Sequence, residues 1–426
     1  MPGLLVLLAV IGGVVILVNP FFGLLATIVL FPQALIPSMG YSFLGAFSMM
    51  TPIKIIGVLM FLGTLIKVVS KGSKLSFLRK GGFLYYTLYL VYLYINGFSQ
   101  PTAFSRELFT SFTSFWIFGF SILVLITTPQ RFRIVVITAI LSFVAAAAQS
   151  VINFLTHPDY LAMTARLQGT NFDPNYFAIS LLPVIVMSFY VGLAEKRFFW
   201  KIILLGTPII LLAALILTQS RGGLLGLAVM LLFAVFRAKN KFLGLLTVGI
   251  VSLALVYVMP DSVWERFEKT KIEDTYDDTI GSTVRRYYLA MAAWEMYLDN
   301  PVFGSGPGDF YYNCRLYYPL KAGRAHTMYL EIMAEMGTIG IGLFLAVLFS
   351  ALRSAGRAIK QGECYGSYGR GLWLGLIGFM VSAFFLHAQQ EKILWLIVFL
   401  SFAIERLALA QPSGSKLKSK QRGIKE

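Results

Sequence analysis

Charge is scarce in this chain: only 13% of its 426 residues are Asp, Glu, Lys or Arg, against roughly 25% in an ordinary soluble domain. Cysteine is scarcer, with 2, and there are only 3 histidines. Two cysteines make neither a disulfide scaffold nor a thiolate zinc site. The sequence also has no His-x-x-x-His pair, no Asp-x-Asp cluster and no closely spaced cysteine pair, so no metal site is expected. The nearest thing to a cation site, Glu273-Asp274-Thr275-Tyr276-Asp277-Asp278, reads as a solvated loop. Gly304-x-Gly306-x-Gly308 follows no strand, which excludes a dinucleotide fingerprint and leaves a turn whose amides face an anion at most.

What is abundant is apolar surface. The hydrophobic fraction is 57% and the mean hydropathy +0.74. Runs such as Phe132 to Phe154 and Phe199 to Leu217 reach across about 30 Å of hydrocarbon at about 1.5 Å per residue. In lipid the backbone must satisfy its own hydrogen bonds, so these runs are read as helices. The expected fold is all-α: a polytopic membrane helix bundle of about 12 transmembrane helices. Spans are placed at 3–18, 21–37, 51–69, 82–98, 108–127, 132–155, 176–194, 199–218, 222–236, 242–259, 326–350, 371–387 and 392–410. Leu4 to Val18 lacks a basic start and an Ala-x-Ala exit, and is read as a retained span or half-span.

A net charge of +16 would suggest nucleic acid for a soluble protein. Here the basic residues cluster at Lys67 to Lys80, Arg131 and Arg133, Lys196 to Lys201, Arg237 to Lys241, Arg353 to Arg370 and in the tail from Lys416, which is every second connection. That alternation is the positive-inside pattern. It sets those connections and the C-terminus in the cytoplasm, with membrane lipids rather than nucleic acid as the partner of the charge. The chain then divides into N-terminal helices (1–259), an extracytoplasmic loop (260–325), C-terminal helices (326–410) and a basic cytoplasmic tail (411–426). Cys314 and Cys364 fall on opposite sides and are not expected to pair.

Within the loop, Ser282 to Asp299 reads as an amphipathic helix capped by Ser282 or Thr283 and stopped by Asn300-Pro301. Val284, Tyr288, Met291, Ala292 and Leu298 are expected on its membrane or bundle side. Phe303 to Gly308 should reverse the chain back to the bundle. Four ionisable residues sit at outer boundaries: Arg166, Arg221 in Thr218-Gln219-Ser220-Arg221-Gly222-Gly223, Arg286 on the loop helix, and His326 at the start of a span. Arginine is disfavoured in outer connections, so Arg221 there points to an anion. The opposing readings are snorkelling for Arg221, a solvated helix face for Arg286, pairing of Arg166 with Asp159 or Asp173, and a capping role for His326. Tyr287-Tyr288, Tyr311-Tyr312 and Tyr317-Tyr318 suit either interface anchoring or stacking on sugars.

Arg166-x-x-Gly169 with Asp173-Pro174-Asn175, then Thr218 to Gly223, then Arg286 with Asn300-Pro301-x-x-Gly304-x-Gly306-Pro307-Gly308, then His326-Thr327-x-Tyr329-Leu330-Glu331 with Glu335-x-Gly337-x-x-Gly340, together resemble the O-antigen ligase and polymerase superfamily. The resemblance covers about 166–340. It implies transfer of a glycan from a polyprenyl (undecaprenyl) pyrophosphate carrier to an acceptor sugar or lipid A core, at the periplasmic face of a bacterial inner membrane. It also implies that Arg221 and Arg286 hold the pyrophosphate, that His326 acts as base or positioning residue, and that Arg166 supports the donor. On that reading the chemistry is inverting and uses neither metal nor cofactor. The other readings are an O-antigen or exopolysaccharide polymerase, a transporter or lipid flippase, and a non-catalytic assembly scaffold. Transporters tend to carry ionisable residues at mid-membrane, whereas here they gather at one face.

Overall fold

A computed structural model describes residues 2–32, 52–71, 75–79, 81–98, 102–156, 166–169, 173–237, 241–242, 245–246, 249, 282–318 and 323–410. Among them every regular element is helical: α1 (Pro2–Val18), α2 (Pro20–Leu30), α3 (Pro52–Lys71), α4 (Gly82–Gly97), α5 (Ala103–Leu125), α6 (Pro129–Thr156), α7 (Pro174–Ala194), α8 (Phe198–Leu217), α9 (Arg221–Phe236), α10 (Ser282–Asp299), α11 (Phe310–Tyr317), α12 (Met328–Ile359), α13 (Glu363–Ser382) and α14 (Lys392–Ala410). Eight of these, α3, α5 to α8 and α12 to α14, are long and apolar enough to cross a membrane, and shorter apolar helices lie at Ala9–Val18, Pro20–Leu30 and Arg221–Phe236. The protein is a multi-pass membrane protein. The expected span 242–259, the outer segment 38–50, the acidic run at 273–278 and the tail lie largely or wholly outside the described residues.

The first apolar stretch is two helices. Pro20 has no N–H to continue α1, so the chain breaks at Asn19, whose amide still reaches Val15 O at 2.8 Å.

α14 is a central post, buried almost continuously from Ile393 to Ile404. Its Trp395 ring meets those of Tyr86, Phe112 and Phe115 at 4.7, 5.6 and 5.8 Å, fixing α4 and α5 around it. α7 is the second buried helix and packs on α13. Lipid tails are as apolar as leucine, so close van der Waals contact, not burial from water, must hold such a pair. Gly371 and Gly375, one turn apart on α13, permit it: a Cβ at either position would lie 3.0 Å from Met187 Cα or 2.9 Å from Pro183 Cα.

The span expected at 326–350 is longer and broken. α12 runs to Ile359 and kinks at Gly337, whose φ of 61° suits glycine. A kink frees backbone groups that must find other partners in an apolar setting. The glycine-rich turn after α10 supplies them: Thr338 N–H donates to Pro301 O at 2.8 Å, while Ser305 and Gly306 N–H donate to Ala334 O and Glu335 O at 3.0 and 2.9 Å. Just after the turn, Phe310 N–H donates to Oε1 of the buried Glu335 at 3.3 Å.

α10 is the expected amphipathic helix with a shifted stripe. Val284, Leu289, Ala292, Ala293 and Met296 are buried, whereas Leu298 is 56% exposed. Leu289, Ala292, Ala293 and Met296 recur at helical spacing and share a small core with Phe310, Cys314 and Ala334. Leu298 lies two residues past Met296, about 200° round the helix, and so points away from that core. Cys314 and Cys364 are both free thiols, one buried and one exposed.

Candidate functional site

The polar break after α8 is a tight turn. Gln219 takes a φ of 51°, an uncommon conformation for a residue with a side chain. The turn is tied from inside, with Gln219 N–H on Ile216 O at 2.8 Å and Ser220 N–H on Thr218 Oγ1 at 3.2 Å. Ser220 then caps α9, its Oγ accepting from Gly223 N–H at 3.3 Å. Arg221 is therefore the first residue of a helix. A cation is electrostatically misplaced at that end, and an anion there would be favoured by the helix and the guanidinium together.

Arg166 is locked against the same turn. Its Nε donates to Thr218 O at 2.9 Å and its Nη2 to Asn175 Oδ1 at 3.1 Å. Ser220 Oγ donates to the same Asn175 Oδ1 at 3.0 Å. Asp173, considered above as a partner for Arg166, serves as the N-cap of α7 and accepts from the Asn175 and Tyr176 amides at 2.7 and 3.2 Å.

Arg166, Arg221 and Arg286 line one open cleft, with Asn175, Ser220 and Ser382 among its other walls. The three guanidiniums come from the segment before α7, the start of α9 and the loop helix α10. Residues far apart in the chain thus gather at one end of the bundle, as a site between helices requires.

His326 is not part of that lining. It stands beside it, close enough to Arg286 for the guanidinium to act on its ring. Burial first, and then Arg286, push the imidazole down from its ordinary 6.5 to about 4, with Arg285 and His387 adding to the shift and Glu331 opposing it. The ring is therefore neutral through the physiological range. His326 also has a φ of 53°, so the backbone here is held in a sparsely populated conformation.

Charges that the sequence reading left without a role support this corner. Glu331, fully buried, meets Arg324 Nη1 at 3.1 Å, the Ala325 N–H at 2.9 Å and His387 Nδ1 at 2.8 Å. Arg324 also lies over the Phe104 ring at 4.4 Å. In the sequence Glu331 stands only as the last residue of the His326-Thr327-x-Tyr329-Leu330-Glu331 motif, yet an acid inside an apolar span is itself a signal, because such a group needs buried partners. Glu391 lies in the α13–α14 connection and accepts from Ser180 Oγ at 3.2 Å. Burial lifts its carboxyl to about 7 despite Lys392 beside it.

The tyrosine pairs mostly bind one another and the loop. Tyr288 and Tyr318 rings lie 5.3 Å apart, Tyr311 and Tyr312 pack on Phe104 at 4.5 and 5.5 Å, and Tyr318 Oη donates to Glu295 at 2.8 Å. They act as internal anchors of the α10–α11 layer, and Tyr287 is the exposed member, at 62%.

Among the described residues no group of three His, Cys, Asp or Glu side chains is arranged to hold a metal. Residues 206–345 match a protein-family model described as O-antigen ligase. That segment contains Arg221, Arg286, His326 and Glu331, while Arg166 lies before it. No match is found among curated proteins.

Proposed function

We propose, from the match of residues 206–345 to a family model described as O-antigen ligase, that the chain transfers a glycan from a polyprenyl pyrophosphate, undecaprenyl pyrophosphate in a bacterium, to an acceptor sugar such as that of a lipid A core. The reaction takes place in the three-arginine cleft, at the periplasmic face of the inner membrane. The observation that carries this reading is the convergence of Arg166, Arg221 and Arg286 on one cleft at the bundle end away from the basic connections. Outside the cytoplasm no nucleotide sugar is at hand, so the donor must arrive already activated. A lipid pyrophosphate supplies a leaving group whose charge guanidiniums are shaped to receive.

In the proposed step an acceptor hydroxyl oxygen attacks the anomeric carbon as the bond from that carbon to the pyrophosphate oxygen breaks. The electron pair leaves with the pyrophosphate, where Arg221 and Arg286 stabilise it without need of a metal. The hydroxyl proton passes to neutral His326. Attack opposite the leaving group inverts the anomeric configuration. A bound pyrophosphate also offsets the field of Arg286, which lifts the His326 imidazole back towards its ordinary value and makes it a stronger base once the donor is in place. Arg166 holds the turn that presents Arg221.

The test is transfer by purified protein in lipid nanodiscs, given a polyprenyl-pyrophosphate glycan and candidate acceptors, with chelator and without nucleotide. One-step product on a lipid A-core acceptor supports the ligase, and a ladder of lengthening lipid-linked product would reassign the chain as a polymerase. Movement of intact donor between leaflets without transfer would make it a flippase. A product that retains the donor's anomeric configuration would exclude direct displacement.

A further inference from the structure

His326 occupies a left-handed backbone position, φ 53°, immediately before the N-cap of α12. Thr327, that N-cap, makes no side-chain bond to the helix. Both features are costly on their own, since a residue with a Cβ is strained in this region and an uncapped helix start leaves amides without a partner. Something nearby must hold the segment in place. The neighbouring contacts identify it. The Ala325 N–H, directly before His326, donates to Glu331 Oε2 at 2.9 Å, and Arg324 Nη1 reaches Oε1 at 3.1 Å. On the other side of the bundle end, His387 Nδ1 lies 2.8 Å from Oε1. One buried carboxylate thus holds the two residues before His326 by hydrogen bonds and lies against His387 in the connection between α13 and α14.

We propose that Glu331 is the positioning residue of this site: through the Ala325 amide, Arg324 and His387 it holds the His326 backbone in its strained conformation and the imidazole at the mouth of the arginine cleft. Glu331 touches neither donor nor acceptor. It acts on the reaction only by where it keeps His326. This inference rests on the transfer reaction proposed above for its kinetic consequence, while the anchoring can be read without any catalysis.

The experiment compares wild type, Glu331→Gln and Glu331→Ala, with Glu195→Gln as a control at the opposite end of the bundle. Each is examined in nanodiscs by hydrogen exchange of the backbone at 323–328 and by initial rates at varied donor and acceptor. Glu331→Ala should speed exchange at 323–328 at least about tenfold, the loss of one buried hydrogen bond, with the remaining helices unchanged. Its kcat should fall roughly 100-fold, with the donor KM within about twofold, because displacing a base by about 1 Å costs on that order. Glu331→Gln keeps an acceptor oxygen for the Ala325 amide but loses its charge towards Arg324 and His387, so it should fall between the two. Unchanged exchange at 323–328 in the alanine variant overturns the anchoring, as does faster exchange spread over the whole bundle. Local loosening with unchanged kcat overturns the positioning role. Absence of product from wild type defeats the transfer reaction and leaves the exchange result to decide the anchoring.

Discussion

The two ends of the bundle handle arginine in opposite ways. At the end of the basic connections, several guanidiniums among the described residues are engaged with their immediate surroundings. Arg133 pairs with Glu195 at 2.6 Å and Arg357 with Glu405 at 2.5 Å, Arg237 covers the Trp373 ring at 4.0 Å, and Arg131 donates to Leu125 O at 3.0 Å beside the Phe21 ring. Those contacts tie neighbouring helices together. At the other end Arg166, Arg221 and Arg286 surround a common cleft, while the carboxylates of that end, Glu331 and Glu335, are turned inward to hold backbone. The same residue type is paired off with neighbouring side chains and rings at one end and gathered round a common cleft at the other.

Breaking the cleft end should cost most where a guanidinium meets the developing charge. Arg221→Ala is expected to lower kcat for transfer about 1,000-fold, the upper range for removal of one charge-stabilising donor, with the melting temperature nearly unchanged. His326→Ala should lose about 100-fold, the low end for loss of a general base. A residual rate in that variant that rises with added imidazole would sharpen the assignment, and full activity would remove it. Asn175→Ala takes the shared acceptor from Arg166 and Ser220. It should destabilise the bundle by about 1–3 kcal/mol and reduce transfer roughly tenfold, read as a lower melting temperature together with a weaker donor response. The counterpart at the basic end, Glu195→Gln, should change stability by no more than about 1 kcal/mol and leave the transfer rate alone. A large rate loss there would break the comparison.

A pH series sharpens it further. With His326 at about 4 in the empty site, kcat/KM should stay flat from pH 8 to about pH 5 and fall below. The acid limb of kcat, which reports the donor complex, should lie at higher pH. The linkage has the matching sign: because the folded imidazole binds its proton less readily than an unfolded one, the stability it contributes is fully present above pH 6.5 and is lost as the pH falls towards 4. An ordinary acid limb near 6.5 in both profiles would contradict the combined effect of burial and Arg286 on His326.

Much of this arrangement was legible in the sequence, because membrane helices announce themselves by length and polarity. Arginines at outer boundaries stand out against the positive-inside pattern, and the motifs around Arg166, Arg221, Arg286 and His326 are compact. What was not legible depends on the third dimension. Nothing local marks the kink at Gly337, since its freed amides are satisfied by a turn more than thirty residues earlier. The buried stripe of α10 moved to Leu289 and Met296 because α12 and α11, not lipid alone, cover it. Glu331 looked like an accompaniment to His326, and its three partners come from residues before α12 and from the start of α14's connection, which only the packed bundle brings together.

The most direct measurement is binding of polyprenyl pyrophosphate, without glycan acceptor, to wild type and Arg221→Ala in nanodiscs, with polyprenyl monophosphate and the free polyprenol as companions. The account predicts tight pyrophosphate binding by wild type, at least about 30-fold weaker binding by the variant, roughly 2 kcal/mol for a charge-assisted contact, and polyprenol binding that is the same in both. Equal pyrophosphate affinity in the two proteins would contradict it.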